Sequence, residues 1–306
     1  MKTPILFLIF NRPETTFLVF EAIRQQRPQF LYIAADAPRQ ERPQEKEKCE
    51  LARSIVNKID WPCEVKTRFL SDHLGCKYGV SSAISWFFEQ VEEGIILEDD
   101  CLPTPDFFPY CEELLQYYRH DSRIMHICGV NFLFKEFDND FSYRFSQLAH
   151  IWGWASWRRA WKFYDLDLDK FVYFDKQKLF SNDYMDQVSK NIFINSNANE
   201  IDTWDYQWGF SVISNNGLCI SPRVNMISNI GFSKDALHTT DINSKYSLMA
   251  HHPMSFPLKH CPVIIADYDC DVYEFLLEHP QIPTWQKIIT QTKYYLRRIA
   301  QIIKFW

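Results

Sequence analysis

Four short apolar runs separated by helical patterns fill the first hundred residues, and no other feature constrains the fold of this chain so strongly. The runs cover residues 4–10, 30–35, 64–70 and 94–97, and the patterns between them predict helices over 14–26, 43–58 and 77–91. Strand and helix in alternation predict a parallel sheet covered by helices, because each parallel pair needs a long crossover that lies on a sheet face. Leu31-Tyr32-Ile33-Ala34 and Ile95-Ile96-Leu97 are apolar throughout, as strands buried on both faces must be. Open sheets of this kind bind ligands beyond the carboxyl ends of their strands. The polar residues at those ends are Asn11-Arg12, Asp36, Asp72-His73 and Glu98-Asp99-Asp100.

Further along, a helix is expected over 106–118 and a fifth strand over 124–130, after which the pattern loosens. Residues 183–215 read as helical and 218–227 return to strand. The 306 residues, 46% hydrophobic with only 8 glycines, suffice for one large core, and no repeat or Gly/Ser linker divides them. The net charge of −6 (33 basic against 39 acidic residues), with no long basic run, argues against general nucleic-acid binding. Nine cysteines without a CxxC pair read as reduced, which favours the cytoplasm. The apolar run from Ile5 to Phe10 is too short for a signal peptide, and no stretch reaches the length that crosses a bilayer.

The sharpest chemical feature is Glu98-Asp99-Asp100 at the end of a buried strand. Crowded like charges are unfavourable, and a hard divalent cation such as Mg²⁺ or Mn²⁺ is the usual remedy. Alternation along a strand predicts Glu98 and Asp100 on one side and Asp99 on the other. The competing reading is an acidic cap on a helix begun by Pro103, Thr104 and Asp106. A cap needs one acid, not three.

The segment 96–108, ILEDDCLPTPDFF, resembles the metal-binding segment of GT-A glycosyltransferases, above all the Glu-Asp-Asp segment of the N-acetylglucosaminyltransferase I family. Asn11-Arg12-Pro13 after strand one, Asp36 at the end of strand two and Trp204-Asp205-Tyr206-Gln207-Trp208 match as well. The chain also resembles bacterial sequences labelled hemolysin-like in the same sugar-transferase superfamily, although it has no pore-like strand pattern. The resemblance covers residues 4–240 and implies a GT-A-type α/β fold: a Rossmann-like, mostly parallel central sheet flanked by helices, with an elaborated C-terminal half. Residues 1–130 would form the nucleotide-sugar half and 131–283 the acceptor and catalytic half of one globule, followed by a basic amphipathic helix over 284–306.

The same resemblance implies roles. Asp100 would hold Mn²⁺ or Mg²⁺ on the donor diphosphate, with Asp99 near the ribose and Glu98 near the transferred sugar. Arg12, Asp36 and Arg39 would surround the nucleotide, and Lys77 would add charge to its phosphates. An ordinary turn with a surface ion pair accounts equally well for Asp36 and Arg39, and a solvated side chain for Lys77. Asp205 would be the base of an inverting transfer, its pKa raised by desolvation beside Trp204 and Trp208, with Asp202 and Glu200 as alternatives. Tyr206 stands where the family carries a second acid. The run from His150 to Trp157 places Trp152, Trp154 and Trp157 around Gly153, and Trp154 is assigned to sugar stacking although aromatic clusters also build cores. His238 would be the late histidine on the metal or diphosphate, and a satisfied polar residue accounts for it equally well.

The tail from Thr284 carries five cations and no acid, with Ile288, Tyr295, Ile299, Ile302, Ile303 and Trp306 on the opposite helical face. Such a helix suits either an anionic membrane surface, here the inner face, or packing on the domain. The function expected is metal-dependent transfer of a hexosyl or N-acetylhexosaminyl group from a nucleotide-diphosphate sugar, a UDP-sugar foremost. The acceptor would be a glycan or lipid-linked hydroxyl in bacterial surface polysaccharide synthesis. The rivals are a sugar-phosphate nucleotidyltransferase and a non-catalytic carbohydrate- or membrane-binding protein.

Overall fold

In the computed structural model, which describes residues 1–133, 140–174, 176–197, 201–232, 246–247 and 249–279, the alternation becomes a layered α/β structure. The N-terminal half runs β1 (Ile5–Ile9), α1 (Pro13–Gln26), β2 (Phe30–Ala35), α2 (Glu45–Arg53), β3 (Glu64–Phe69), α3 (Ser81–Gln90) and β4 (Glu93–Glu98). A π-helical turn, Cys76–Val80, leads into α3. There follow β5 (Cys101–Pro103), α4 (Phe107–Tyr117), β6 (Ile124–Cys128), β7 (Tyr143–Ser146), β8 (Trp154–Trp157) and α5 (Arg158–Trp161). The remainder holds α6 (Asp183–Asn197), α7 (Asp205–Ser214), β9 (Leu218–Pro222), β10 (Ile227–Asn229) and α8 (Tyr268–Glu278).

Among the described residues, eight strands form one sheet in the order β3-β2-β1-β4-β8-β6-β9-β7, and six of them run in the same direction. β8 and β7 are the reversed strands, and β8 is inserted between β4 and β6. β5 and β10 pair apart as an antiparallel ribbon, Asn229 facing Cys101. The central strands are buried on both faces because alternate side chains enter separate cores. Ile5, Phe7, Ile33, Ile95 and Leu97 pack with Phe20 of α1 and Phe107 of α4, whereas Leu6, Leu8, Tyr32 and Ile96 pack with Phe87 of α3 and Trp208 of α7. Edge strand β3, with Glu64, Lys66 and Arg68, is charged, which discourages pairing with other chains.

The looser half departs from expectation. The helical stretch over 183–215 is two helices with a break at residues that include Asp202, Thr203 and Trp204, and the strand over 218–227 is β9 and β10 with a turn between. α8 docks on β7 through a buried ionic network in which Arg144 pairs with both Asp271 and Glu274, and Glu274 meets His150 Nε2 at 3.0 Å. All nine cysteines are unbridged. No described helix is long and apolar enough to cross a membrane. The expected helix over 284–306 lies outside the described residues, as do His238 and Glu200.

Candidate functional site

A cavity of about 390 Å³ opens at the carboxyl ends of β1, β2 and β4 and is closed by the loop that precedes α7. β4 ends at Glu98, so Asp99 and Asp100 lie in the turn between β4 and β5 and no longer alternate as strand residues. This corrects the expectation that Asp99 and Asp100 face opposite sides: Arg12 Nη1 lies 2.7 Å from Asp100 Oδ2 and 4.0 Å from Asp99 Oδ1. Asp99 Oδ2 also accepts the Phe10 N–H at 3.0 Å, tying the end of β1 to the turn. None of the three acids caps α4, because β5 intervenes and Asp106 Oδ2 accepts the Met254 N–H instead.

The cluster is electrostatically loaded. Burial, followed by the charges of Asp100, Asp99 and Asp205, pushes the Glu98 carboxyl well above the usual range. Burial and Asp100 push Asp99 up to about 7, against the pull of Arg12 and the Phe10 amide. Burial works against the Arg12 charge, yet Asp100 and Asp99 more than offset it and raise its pKa. Glu98 Oε1 is buried and has no hydrogen-bond partner among the described residues. Leaving such an acceptor unsatisfied costs about 1–3 kcal/mol, which a ligand's donor would recover.

The opposite wall comes from the break before α7. Asp205 opens α7, and its Oδ1 accepts the Tyr206 N–H at 2.9 Å and also the Thr203 hydroxyl, so Oδ2 is not used by either bond. Asp202 anchors this loop to the π-helical turn before α3 by accepting the N–H groups of Cys76 at 3.2 Å and Lys77 at 2.9 Å. The approach is possible because Gly75 adopts φ +80°, and a Cβ there would lie 3.0 Å from Asp202 Oδ2.

No family model and no curated protein matches the chain. Among solved structures it is similar to apo UDP-glucose pyrophosphorylase, at 8% identity over 74% of this chain and 93% of that one, with a TM-score of 0.36. It is also similar to mouse xyloside xylosyltransferase 1 in its apo form, at 8% identity over 70% and 82%, TM-score 0.35. A third is HddC from Yersinia pseudotuberculosis, at 9% identity over 51% and 77%, TM-score 0.33. With scores this low, the geometry of the chain itself carries the functional reading.

Arg12, Asp36, Arg39, Glu98, Asp99, Asp100 and Asp205 all line the one cavity, although their positions in the chain span nearly two hundred residues. Several are already engaged. Asp36 accepts the N–H groups of Ala37 (2.8 Å), Leu74 (3.0 Å) and Gly75 (2.9 Å) and lies 3.0 Å from His73 Nδ1, so its carboxylate fixes the loop after β3 instead of offering a free acceptor to a base. Arg39 pairs with the buried Glu45 of α2 and lies over the Phe10 ring at 5.6 Å. Lys77 is neither solvated nor on the cavity wall; it is buried, with Nζ 3.5 Å from Asp167.

Trp154 requires a correction. It lies on β8 with no exposed surface, stacked between His126 (5.0 Å) and Trp204 (5.7 Å), and does not reach the cavity. Its neighbour Trp152 does, held edge-on by Phe132 at 5.0 Å. The sequence carries no local signal that separates these two indoles. Sequence reasoning also missed Gly231, whose backbone packs against Asp100, and Arg68 on the rim, which donates to Ser82 Oγ at 3.1 Å.

Proposed function

We propose that the protein transfers a sugar from a nucleotide diphosphate to an acceptor hydroxyl with inversion at the anomeric carbon. The observation that carries this reading is the meeting of two groups across one cavity: Arg12 with Glu98, Asp99 and Asp100 at the sheet edge, and Asp205 on a separate helix, near enough for its charge to act on Glu98. In this reading residues up to 130 hold the donor and the half from 131 to 283 supplies the base. Asp205 accepts the proton of the acceptor hydroxyl as its oxygen bonds to the anomeric carbon. The bond from that carbon to phosphate breaks, and its electron pair leaves with the nucleoside diphosphate. Arg12 meets the diphosphate with a planar set of donors, and Glu98 Oε1 accepts from a hydroxyl of the donor sugar.

A divalent ion fits these residues in one way. No group of three His, Cys, Asp or Glu side chains among the described residues forms a ready cage. Mg²⁺ and Mn²⁺ are nevertheless commonly held by one or two carboxylates together with substrate phosphates and water. Asp100 would hold the ion, which would supply positive charge to the departing diphosphate.

A nucleotidyltransferase would also use a metal and a sugar pocket, but it needs a glycine-rich loop after the first strand to wrap a triphosphate. Here Asn11-Arg12 leads directly into Pro13 at the start of α1 with no glycine between, and the Phe10 amide just past β1 bonds Asp99. Transfer to a hydroxyl is therefore favoured. The test is thermal unfolding with UDP-, GDP- and dTDP-sugars, each with and without Mn²⁺, with CMP as a monophosphate control, on the wild type and Asp100→Ala. One nucleotide family should raise the midpoint in a metal-dependent way that Asp100→Ala abolishes. No shift from any donor would overturn the proposal.

A further inference from the structure

The carboxylate assigned to the metal is already bonded to a cation of the chain. Arg12 Nη1 donates to Asp100 Oδ2 at 2.7 Å, and Asp100 Oδ1 accepts from Cys101 Sγ at 3.4 Å, so both oxygens are engaged. The contact is built in from both sides. The Thr16 hydroxyl and N–H bond back to the Arg12 carbonyl at 2.7 Å and 3.0 Å, fixing Arg12 at the entrance to α1. The Asp100 carbonyl accepts the Ile230 N–H at 2.8 Å, which brings Gly231 against the pair. A Cβ on Gly231 would overlap Asp100 Oδ2 and lie 2.7 Å from Arg12 Nη1, so the space beside the ion pair is closed there. An incoming divalent ion and the guanidinium compete for one oxygen, and like charges that close repel strongly.

We infer that Arg12 is the resident counter-cation of the acidic cluster and that a divalent ion takes Asp100 only when a diphosphate is present to receive the Arg12 guanidinium. This rests on the donor site proposed above and adds the order of events at it. Metal and donor bind together, while metal alone binds poorly. The exchange conserves charge pairing: Arg12 leaves a carboxylate for a phosphate, a partner that guanidinium matches with two parallel bonds.

The experiment titrates Mn²⁺ without nucleotide into wild type, Arg12→Ala, Arg12→Gln and Arg12→Lys, following the electron paramagnetic resonance signal of free Mn²⁺. Arg12→Ala should bind Mn²⁺ alone at least about tenfold more tightly than wild type, because a positive charge has left the ligating oxygen. Arg12→Lys keeps that charge and should stay close to wild type, which a merely structural role of the arginine would not predict. Arg12→Gln, neutral and similar in length, gives the same reading should Arg12→Ala fail to fold. Equal or weaker Mn²⁺ binding by the neutral variants overturns the inference. A parallel titration of wild type with UDP, GDP and dTDP, corrected for Mn²⁺ bound by nucleotide alone, separates the two levels. Nucleotide-dependent uptake with metal-alone affinity indifferent to Arg12 refutes the counter-cation and leaves the donor site standing. No uptake with any nucleotide removes both.

Discussion

Replacing His126 by glutamine isolates the titration of one buried imidazole behind the candidate base. His126 lies on β6 without exposed surface; Nε2 meets the His150 carbonyl at 2.9 Å, and Nδ1 accepts from Trp208 Nε1 at 3.1 Å. A carbonyl on one side and an N–H on the other admit only the neutral ring with its proton on Nε2. Burial, with the nearby charge of His150 adding to it, lowers the pKa from 6.5 to about 3, against the pull of the His150 carbonyl. As pH falls below 6.5 the unfolded chain takes up a proton that the folded chain refuses, so stability is lost on the way from 6.5 down towards 3. At pH 5 that is 1.5 units below the unfolded value, or about 2 kcal/mol relative to pH 8. Glutamine can donate to the His150 carbonyl and accept from Trp208 but does not titrate. Wild type and His126→Gln are compared by denaturant unfolding at pH 8, 6 and 5. The variant loses the stacking of His126 on Trp154 and is less stable at pH 8, but its deficit should shrink by about 2 kcal/mol at pH 5. A stability difference that does not change with pH would refute the neutral, buried imidazole.

Asp205→Asn should lower kcat by roughly 10²–10⁴ once donor and acceptor are known, while the metal-dependent midpoint shift from donor persists; loss of that shift would make Asp205 a donor contact and not the base. Gly231→Ala should displace Asp100 and Arg12 and at least halve the donor-induced midpoint shift with an unchanged circular dichroism spectrum, whereas an undiminished shift would dismiss the close packing there. Arg144→Ala should cost about 3–5 kcal/mol in denaturant unfolding, because it strands the buried carboxylates of Asp271 and Glu274. A loss below about 1 kcal/mol would refute the reading that Arg144 compensates two buried, charged carboxylates.

The N-terminal half was legible because its signals are local. An apolar run buried on both faces needs no knowledge of its neighbours to be recognised, and β1, β2, β3 and β4 fall within a residue or so of the expected runs. The polar residues beyond them reach one cavity for the same reason: parallel strands present their carboxyl ends together. The second half was not legible in this way. β8 is four residues long and gains its place between β4 and β6 from antiparallel pairing with partners about thirty and sixty residues away. Whether Trp154 or Trp152 meets the cavity follows from that pairing, since β8 turns Trp154 into the core between His126 and Trp204.

The sequence by itself determined the kind of fold and the place on it where chemistry gathers, because hydrophobic periodicity and the polarity of strand ends are properties of short segments. Only the tertiary structure decided which of the gathered side chains are available. Asp36 is taken up by loop amides, Lys77 is buried away from the cavity, Asp99 and Asp100 share Arg12, and Glu98 keeps one buried oxygen without a partner among the described residues. Those outcomes depend on backbone amides and carboxylates brought together from distant parts of the chain, and on the burial that sets the energy of each charge.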